Sequence, residues 1–158
     1  MNYEKSYKPS LEWEWVSYSG DPIKAKDFID KYKVGEIYVG TDSQVYGVHI
    51  VFTTVIVIHL EGNKGGICIR HTEKIRSKME LRERLTTETM RSIEACWFLS
   101  ELVPRERIHE VHLDVNKDKR YNSGKYHDEL VGMVSGQGFN AKSKPDAWAS
   151  TCIADAKC

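Results

Sequence analysis

Between positions 37 and 74 the chain carries three β-rich segments with no room between them for a crossover. They are 37–44 (IYVGTDSQ), 48–60 and 66–74, and the middle one runs through Val51, Thr53, Thr54, Val55, Ile56, Val57 and Ile58. Joining two parallel strands takes a dozen or more residues, so these three can pair in sequence only as an antiparallel meander. A continuous β-branched apolar run such as the middle segment suits a strand covered on both faces. Gly62, Gly65 and Gly66 supply the turn after it.

Beyond this block the hydrophobic period becomes helical. Leu81, Leu85, Ser92, Cys96, Leu99 and Val103 fall on one stripe of a helix over 78–103, which Pro104 ends. A fourth strand follows at 109–116. A helix then runs from Asn122 or Ser123 to about 134, closed by Gly136 and Gly138, and leads to a short strand at 139–142. Pro145 precedes a last helix over 146–157. Upstream, residues 1–20 read as an aromatic arm, with Trp13 and Trp15 on one face if the arm is extended. That face can pack the arm onto the domain or stack on a nucleobase. Ser19 or Asp21 would cap a helix over 22–32. A meander followed by alternating helix and strand predicts an α/β fold with a five-stranded mixed sheet, order 3-2-1-4-5, and helices on both faces. The 37–44 and 109–116 strands should be adjacent and parallel. With no repeat or linker in view, residues 21–158 read as a single domain.

Composition removes several classes of function. Lys plus Arg and Asp plus Glu both number 23, giving zero formal charge. A chain that coats nucleic acid by bulk charge needs an excess of cations, although a local basic groove remains open to this one. No apolar stretch is long enough for a membrane helix, and the polar opening from Met1 to Pro9 has no signal core. Cys68, Cys96, Cys152 and Cys158 form neither a CxxC pair nor a zinc spacing, so they read as free thiols. The expected compartment is the cytoplasm, with no membrane partner.

Two acids close apolar strands. Asp42 follows Gly40 and Thr41, and Asp114 sits in His112-Leu113-Asp114-Val115-Asn116, with Val111, Leu113 and Val115 on the opposite face. Carboxylates at the ends of adjacent strands repel, and a cation between them relieves the cost. Such oxygen-rich sites suit magnesium or manganese. On the 78–103 helix, Glu80, Glu83, Glu94 and Glu101 lie away from the Leu81/Leu85/Leu99 stripe and are expected in solvent. Glu88 lies between the apolar positions, either as a third ligand or in a surface pair with Arg84 or Arg91. In the last helix Asp146 suits the N-terminal dipole, whereas Asp155, among small residues, is preferred as a fourth ligand, with Asp146 as its alternative. Lys117, Lys119, Arg120 and Lys125 follow Asp114 and, with Lys144, are candidate substrate contacts. Lys142 and the Arg70/Lys74/Arg76/Lys78 group add to a basic rim. His112 could orient a ligand or be a satisfied strand histidine, and Ser43 is a candidate accessory group.

An Asp ending the first strand, a Glu in the first long helix, an Asp ending the fourth strand and an Asp in the last helix resemble the ribonuclease H-like superfamily. More narrowly, IYVGTDSQ, VHLDVN followed by NSGKYHDELVGMVSGQGF, and KPDAWASTCIAD are similar to the YkuK-like family of bacterial and phage ribonuclease H-like proteins. The resemblance spans about 37–155 and omits the arm. It implies that Asp42, Glu88, Asp114 and Asp155 hold two divalent ions that hydrolyse nucleic-acid phosphodiesters. Asp42 would bridge both ions, Glu88 and Asp114 would hold one, and Asp155 the other. A nucleic-acid-binding or assembly module that kept the fold without turnover is the alternative from a different class, since one fold hosts many functions. A phosphoesterase acting on small esters is another.

Overall fold

The computed structural model describes residues 12–60, 65–144 and 146–149. Two short strands open it, β1 (Trp15–Ser17) and β2 (Pro22–Ile23), followed by helix α1 (Ala25–Lys31). The expected helix over 22–32 therefore starts three residues late. The chain reverses at Gly20, with φ of 89°, and Ser19 donates its hydroxyl to Asp21 instead of capping a helix. Pro22 lies opposite Val16 in β2, the outermost strand of the sheet, where a residue without an N–H is tolerated.

The meander forms as its composition dictates: β3 (Glu36–Tyr46), β4 (His49–His59) and β5 (Gly66–Arg76), each 11 residues long and paired antiparallel in register along its length. Helix α2 (Leu81–Ser100) returns the chain to β6 (Ile108–Asn116). A 3-10 turn at Asn122–Tyr126 precedes helix α3 (His127–Gly136), so the regular helix begins later than Asn122 or Ser123. Strand β7 (Ala141–Lys144) ends the sheet. It starts two residues after the expected 139 because Phe139 turns into the core.

The sheet order is β2-β1-β5-β4-β3-β6-β7. The expected order 3-2-1-4-5 is its stretch from β5 to β7, and β3 and β6 are neighbours and parallel. The sheet has seven strands where five were expected. Of the two added strands, β1 comes from the aromatic arm and pairs with β5 through Val16 and Ser17, and β2 is formed by the first residues of the expected helix. Trp13 and Trp15 are buried, and Trp13 stacks on His71 with ring centroids 4.4 Å apart. Their apolar surface is thus spent on the domain, which favours packing over stacking on a base.

The two faces of the sheet are covered differently. Ile37, Val39, Ile56, Ile58, Ile69, Val111, Leu113 and Val115 share a core with Phe28 and Ile29 of α1, Leu85, Ile93 and Leu99 of α2, and Leu130 and Val134 of α3. Among the described residues all three helices therefore lie on one face. On the other, Tyr38, Val55, Val57 and Cys68 pack with Ala149 and Trp148. The expected last helix does not begin at 146, since residues 146–148 are a turn and irregular chain, and its stretch 150–157 is outside the described residues.

Candidate metal centre

Parallel pairing of β3 with β6 passes through Val39 opposite Val111 and Gly40 opposite His112, and stops there. Asp42 and Asp114 each stand two residues further on, hence on the face that Gly40 and His112 share. Beyond this point β3 continues with β4 as far as Tyr46 opposite His49, whereas β6 continues with β7, where Asn116 meets Lys144. The two strands part where their acids stand.

Glu88 reaches this gap from α2. It is only 7% exposed. Ser43, whose side chain lies on the helix side of β3, donates its hydroxyl to Glu88 Oε2 at 2.5 Å. Small hydroxyl side chains let the helix approach: Thr41 Oγ1 is 2.7 Å from Ser92 Oγ and 3.1 Å from Thr54 Oγ1. As a result one carboxylate oxygen from each of Asp42, Glu88 and Asp114 lies within 4.8 Å of the others. Two acids on one face of the sheet and a third from the opposite side can meet only where the sheet opens.

Burial and mutual repulsion leave their mark on these groups. Burial is the main cause that pushes the Asp42 carboxyl up to about 6, and the charge of Asp114 adds to it. Burial pushes Glu88 up to about 8, helped by the charges of Asp42 and Asp114 and opposed by the Ser43 hydrogen bond. Two cations act on the cluster among the described residues: Lys144 Nζ pairs with Asp114 Oδ1 and is raised by that hydrogen bond, and the charge of Arg84 opposes the rise of Glu88. Three carboxylates form an all-oxygen donor set, and two of them resist ionising without added positive charge, so the residues fit a hard divalent ion.

The other expected site residues are placed less centrally. Asp146 is exposed and pairs with Lys117 Nζ at 3.6 Å. Asp155 lies outside the described residues. Arg120 forks onto Asp118, with Nε 2.8 Å from Oδ2, so part of the expected basic loop is neutralised within itself. Lys119 and Lys125 are exposed. His112 is fully engaged: its Nδ1 accepts the backbone N–H groups of Trp148 and Ala149 at 3.1 and 2.9 Å, and Nε2 is 3.1 Å from Glu110 Oε1. Burial lowers its pKa. A neutral ring with Nε2 protonated satisfies all three contacts, so His112 holds the segment after β7 against β6.

On α2, Glu80, Glu83 and Glu101 are exposed as expected, but Glu94 is not. It is 6% exposed and accepts from Arg91 Nη1 at 3.0 Å, while Arg91 Nε donates to Glu73 of β5 at 2.7 Å. Arg91 is thus bound to two other acids, and the arginine whose charge acts on Glu88 is Arg84. The helical wheel gives an angle, but not the strand residue opposite it. Sequence reasoning also missed the Thr41/Ser92 contact, for which alternation on β3 and the small residues of α2 were the available signals.

With this geometry established, comparisons with known proteins bear on it directly. A family model described as ribonuclease H-like matches residues 23–158. The chain is also similar to the uncharacterised protein YkuK of Bacillus subtilis (strain 168), with 29% identity over 134 residues, covering 74% of this chain and 75% of that protein. No solved structure matches.

Proposed function

The chain belongs to the ribonuclease H-like family, and from that premise we propose that it is a divalent-metal-dependent nuclease that hydrolyses nucleic-acid phosphodiester bonds. The family points to nuclease or other nucleic-acid-related work. The observation that carries the finer reading is the convergence of Asp42, Glu88 and Asp114 within 4.8 Å. Three converging carboxylates without a cation are an electrostatic liability, and structural need alone gives no reason to assemble them.

In this reading Asp42, Glu88 and Asp114 are ligands of magnesium or manganese, with Asp155 as the proposed fourth and Asp146 as its alternative. When bound, such ions supply Lewis acidity to the phosphodiester and to the water that attacks it. The protein's own groups set the conditions. Ser43 orients the Glu88 carboxylate. Lys144 balances Asp114 until the ion arrives and is then placed to meet a substrate phosphate. Lys119 and Lys125 extend the positive rim, while Lys117 and Arg120 must first exchange their acid partners for phosphate.

The test is cleavage of labelled single-stranded DNA, duplex DNA, RNA and RNA–DNA hybrid with magnesium or manganese, against Asp42→Asn prepared in parallel. Metal-dependent cleavage by the wild type and none by Asp42→Asn is expected. Cleavage that survives in Asp42→Asn would refute the assignment. Absence of cleavage with intact oligonucleotide binding would place the protein among non-catalytic modules of the same fold. Hydrolysis of mononucleotide esters alone would make it a small-molecule phosphoesterase.

A further inference from the structure

The helices of the described structure cover one face of the sheet, and Asp42 and Asp114 belong to the other. Alternation and register determine what surrounds Asp42 on that open face. Asp42 lies opposite Thr53 of β4, which lies opposite Thr72 of β5. Along β5 the same face carries Arg70, Thr72, Lys74 and Arg76. The inward alternates Ile69 and Ile75 are buried, whereas Thr72, Lys74 and Arg76 are exposed and Arg70 is half-buried. Tyr46, in line with Arg76 across His49, ends the same face of β3 and is 61% exposed.

Three features make this row unusual. Successive members stand about 6.8 Å apart, the two-residue step of an antiparallel strand, which is close to the phosphate repeat of an extended nucleic-acid strand. Among the described residues no ion pair engages Arg70, Lys74 or Arg76, in contrast to Lys117, Arg120 and Lys144. Finally, neither β4 nor β5 carries an acidic side chain on this face; the one acid of β5, Glu73, points to the helix side and pairs with Arg91. On a protein of zero net charge, a cationic row without an ion-pair partner among the described residues is a local choice. Glu14 lies beyond the β5 edge between Trp13 and Trp15, so a polyanion would follow β5 and not cross it.

We propose that this open face is the track for a single-stranded nucleic acid, its phosphates on Arg70, Thr72, Lys74 and Arg76, a base stacked on Tyr46, and its backbone led toward Asp42. The inference rests on the nuclease reading for the identity of the polyanion, but it concerns binding alone. A sheet face presenting cations and an aromatic ring suits a strand whose bases are free to stack, as in other single-strand binders. A duplex keeps its bases stacked inside and would leave Tyr46 unused.

The experiment is fluorescence anisotropy with labelled single-stranded and duplex oligonucleotides in EDTA, where turnover cannot contribute, over a salt series. Proteins compared are the wild type, the triple variant Arg70→Ala/Lys74→Ala/Arg76→Ala, Tyr46→Ala, and the loop variant Lys119→Ala/Arg120→Ala. The altered side chains are exposed except the half-buried Arg70, and an unchanged melting temperature verifies folding. The triple variant should bind single strands at least ~tenfold more weakly and flatten the salt dependence by about two charges' worth of slope. Tyr46→Ala should lose about fivefold or more with little change in slope, and the loop variant should lose less than the triple variant. Wild-type affinity in the triple variant, or tighter binding of duplex with the same losses, would overturn the track. Either result would leave the metal centre standing, because a manganese-induced rise in melting temperature, measured separately, reports on that centre. Failure of that rise as well would remove the nuclease reading with it.

Discussion

Replacing Glu88 with Gln removes one ionisable group from the centre while keeping its shape. Glu88 is pushed from 4.5 to about 8 in the folded protein, chiefly by burial. The unfolded chain therefore loses this proton first as the pH rises. Below pH 4.5 both states hold it and the group is neutral to stability. Between pH 4.5 and 8 the folded state retains a proton that the unfolded state has released, and stability falls with each pH unit. Above pH 8 both are ionised and the penalty is complete. The interval is 8 − 4.5 = 3.5 units, and at 1.36 kcal/mol per unit that is ~5 kcal/mol. For a chain of 158 residues, an unfolding entropy of about 2.1 cal/mol/K per residue turns this into ~15 °C in Tm.

The assay is thermal unfolding in EDTA from pH 5 to pH 9, wild type against Glu88→Gln. Taking the difference cancels groups unaffected by the exchange, and what remains is Glu88 and its influence on Asp42. Wild type should lose most of that ~15 °C relative to Glu88→Gln over this range. In millimolar manganese the wild-type loss should shrink, because a bound cation favours the ionised ligand and stabilises the folded form that binds it. Parallel pH profiles in EDTA would refute the reasoning, since a Glu88 held in contact with water, or permanently paired, would carry no such penalty.

Three further outcomes follow from the same geometry. Asp42→Asn should leave the metal-free protein at least as stable at pH 7, because a carboxylate pushed up to about 6 becomes a neutral amide beside Asp114, and should abolish the manganese-induced rise in Tm; a retained rise would place the ion elsewhere. Lys144→Met should tighten manganese binding by ~two- to fivefold in calorimetry, the modest effect expected when a partly exposed cation competing for Asp114 is removed; weaker binding would show that Lys144 supports the ion. Arg91→Met should cost ~3–5 kcal/mol in urea unfolding, since Glu73 and Glu94 would remain largely buried, and conversion of both acids to Gln as well should recover most of it.

The meander was legible because β-branched composition and short connections leave one pairing pattern, and the parallel contact of the Asp42 and Asp114 strands followed from the helix between them. Period-two alternation placed those two acids on a common face, and the wheel separated Glu88 from Glu80 and Glu83. What escaped depended on partners distant in sequence. Glu94 has the wheel angle of an exposed residue, yet Arg91 and Glu73 hold it at the helix–sheet contact. β1 and β2 are three and two residues long, too short for a periodic signal, and exist because the β5 edge offers pairing to Val16 and Ser17. His112 stood open between a ligand-orienting group and a satisfied strand histidine; the structure favours the second, through amides of Trp148 and Ala149 that nothing local reveals.

The gap between β3 and β6 joins these observations into one constraint. If parallel pairing continued past Gly40 and His112, Asp42 and Asp114 would sit side by side on a closed sheet and Glu88 would stay behind it. Because β3 stays with β4 and β6 leaves with β7, the sheet opens at those acids and admits the third from the helix side. That side is filled by α2, through Ser43, Thr41 and Ser92, so nothing large can approach from it. In the proposed nuclease reading a substrate comes from the opposite face, which among the described residues lies between the Lys144 flank of β7 and the cationic row of β5. The opening that gathers the carboxylates therefore also fixes the direction from which a phosphodiester could reach them.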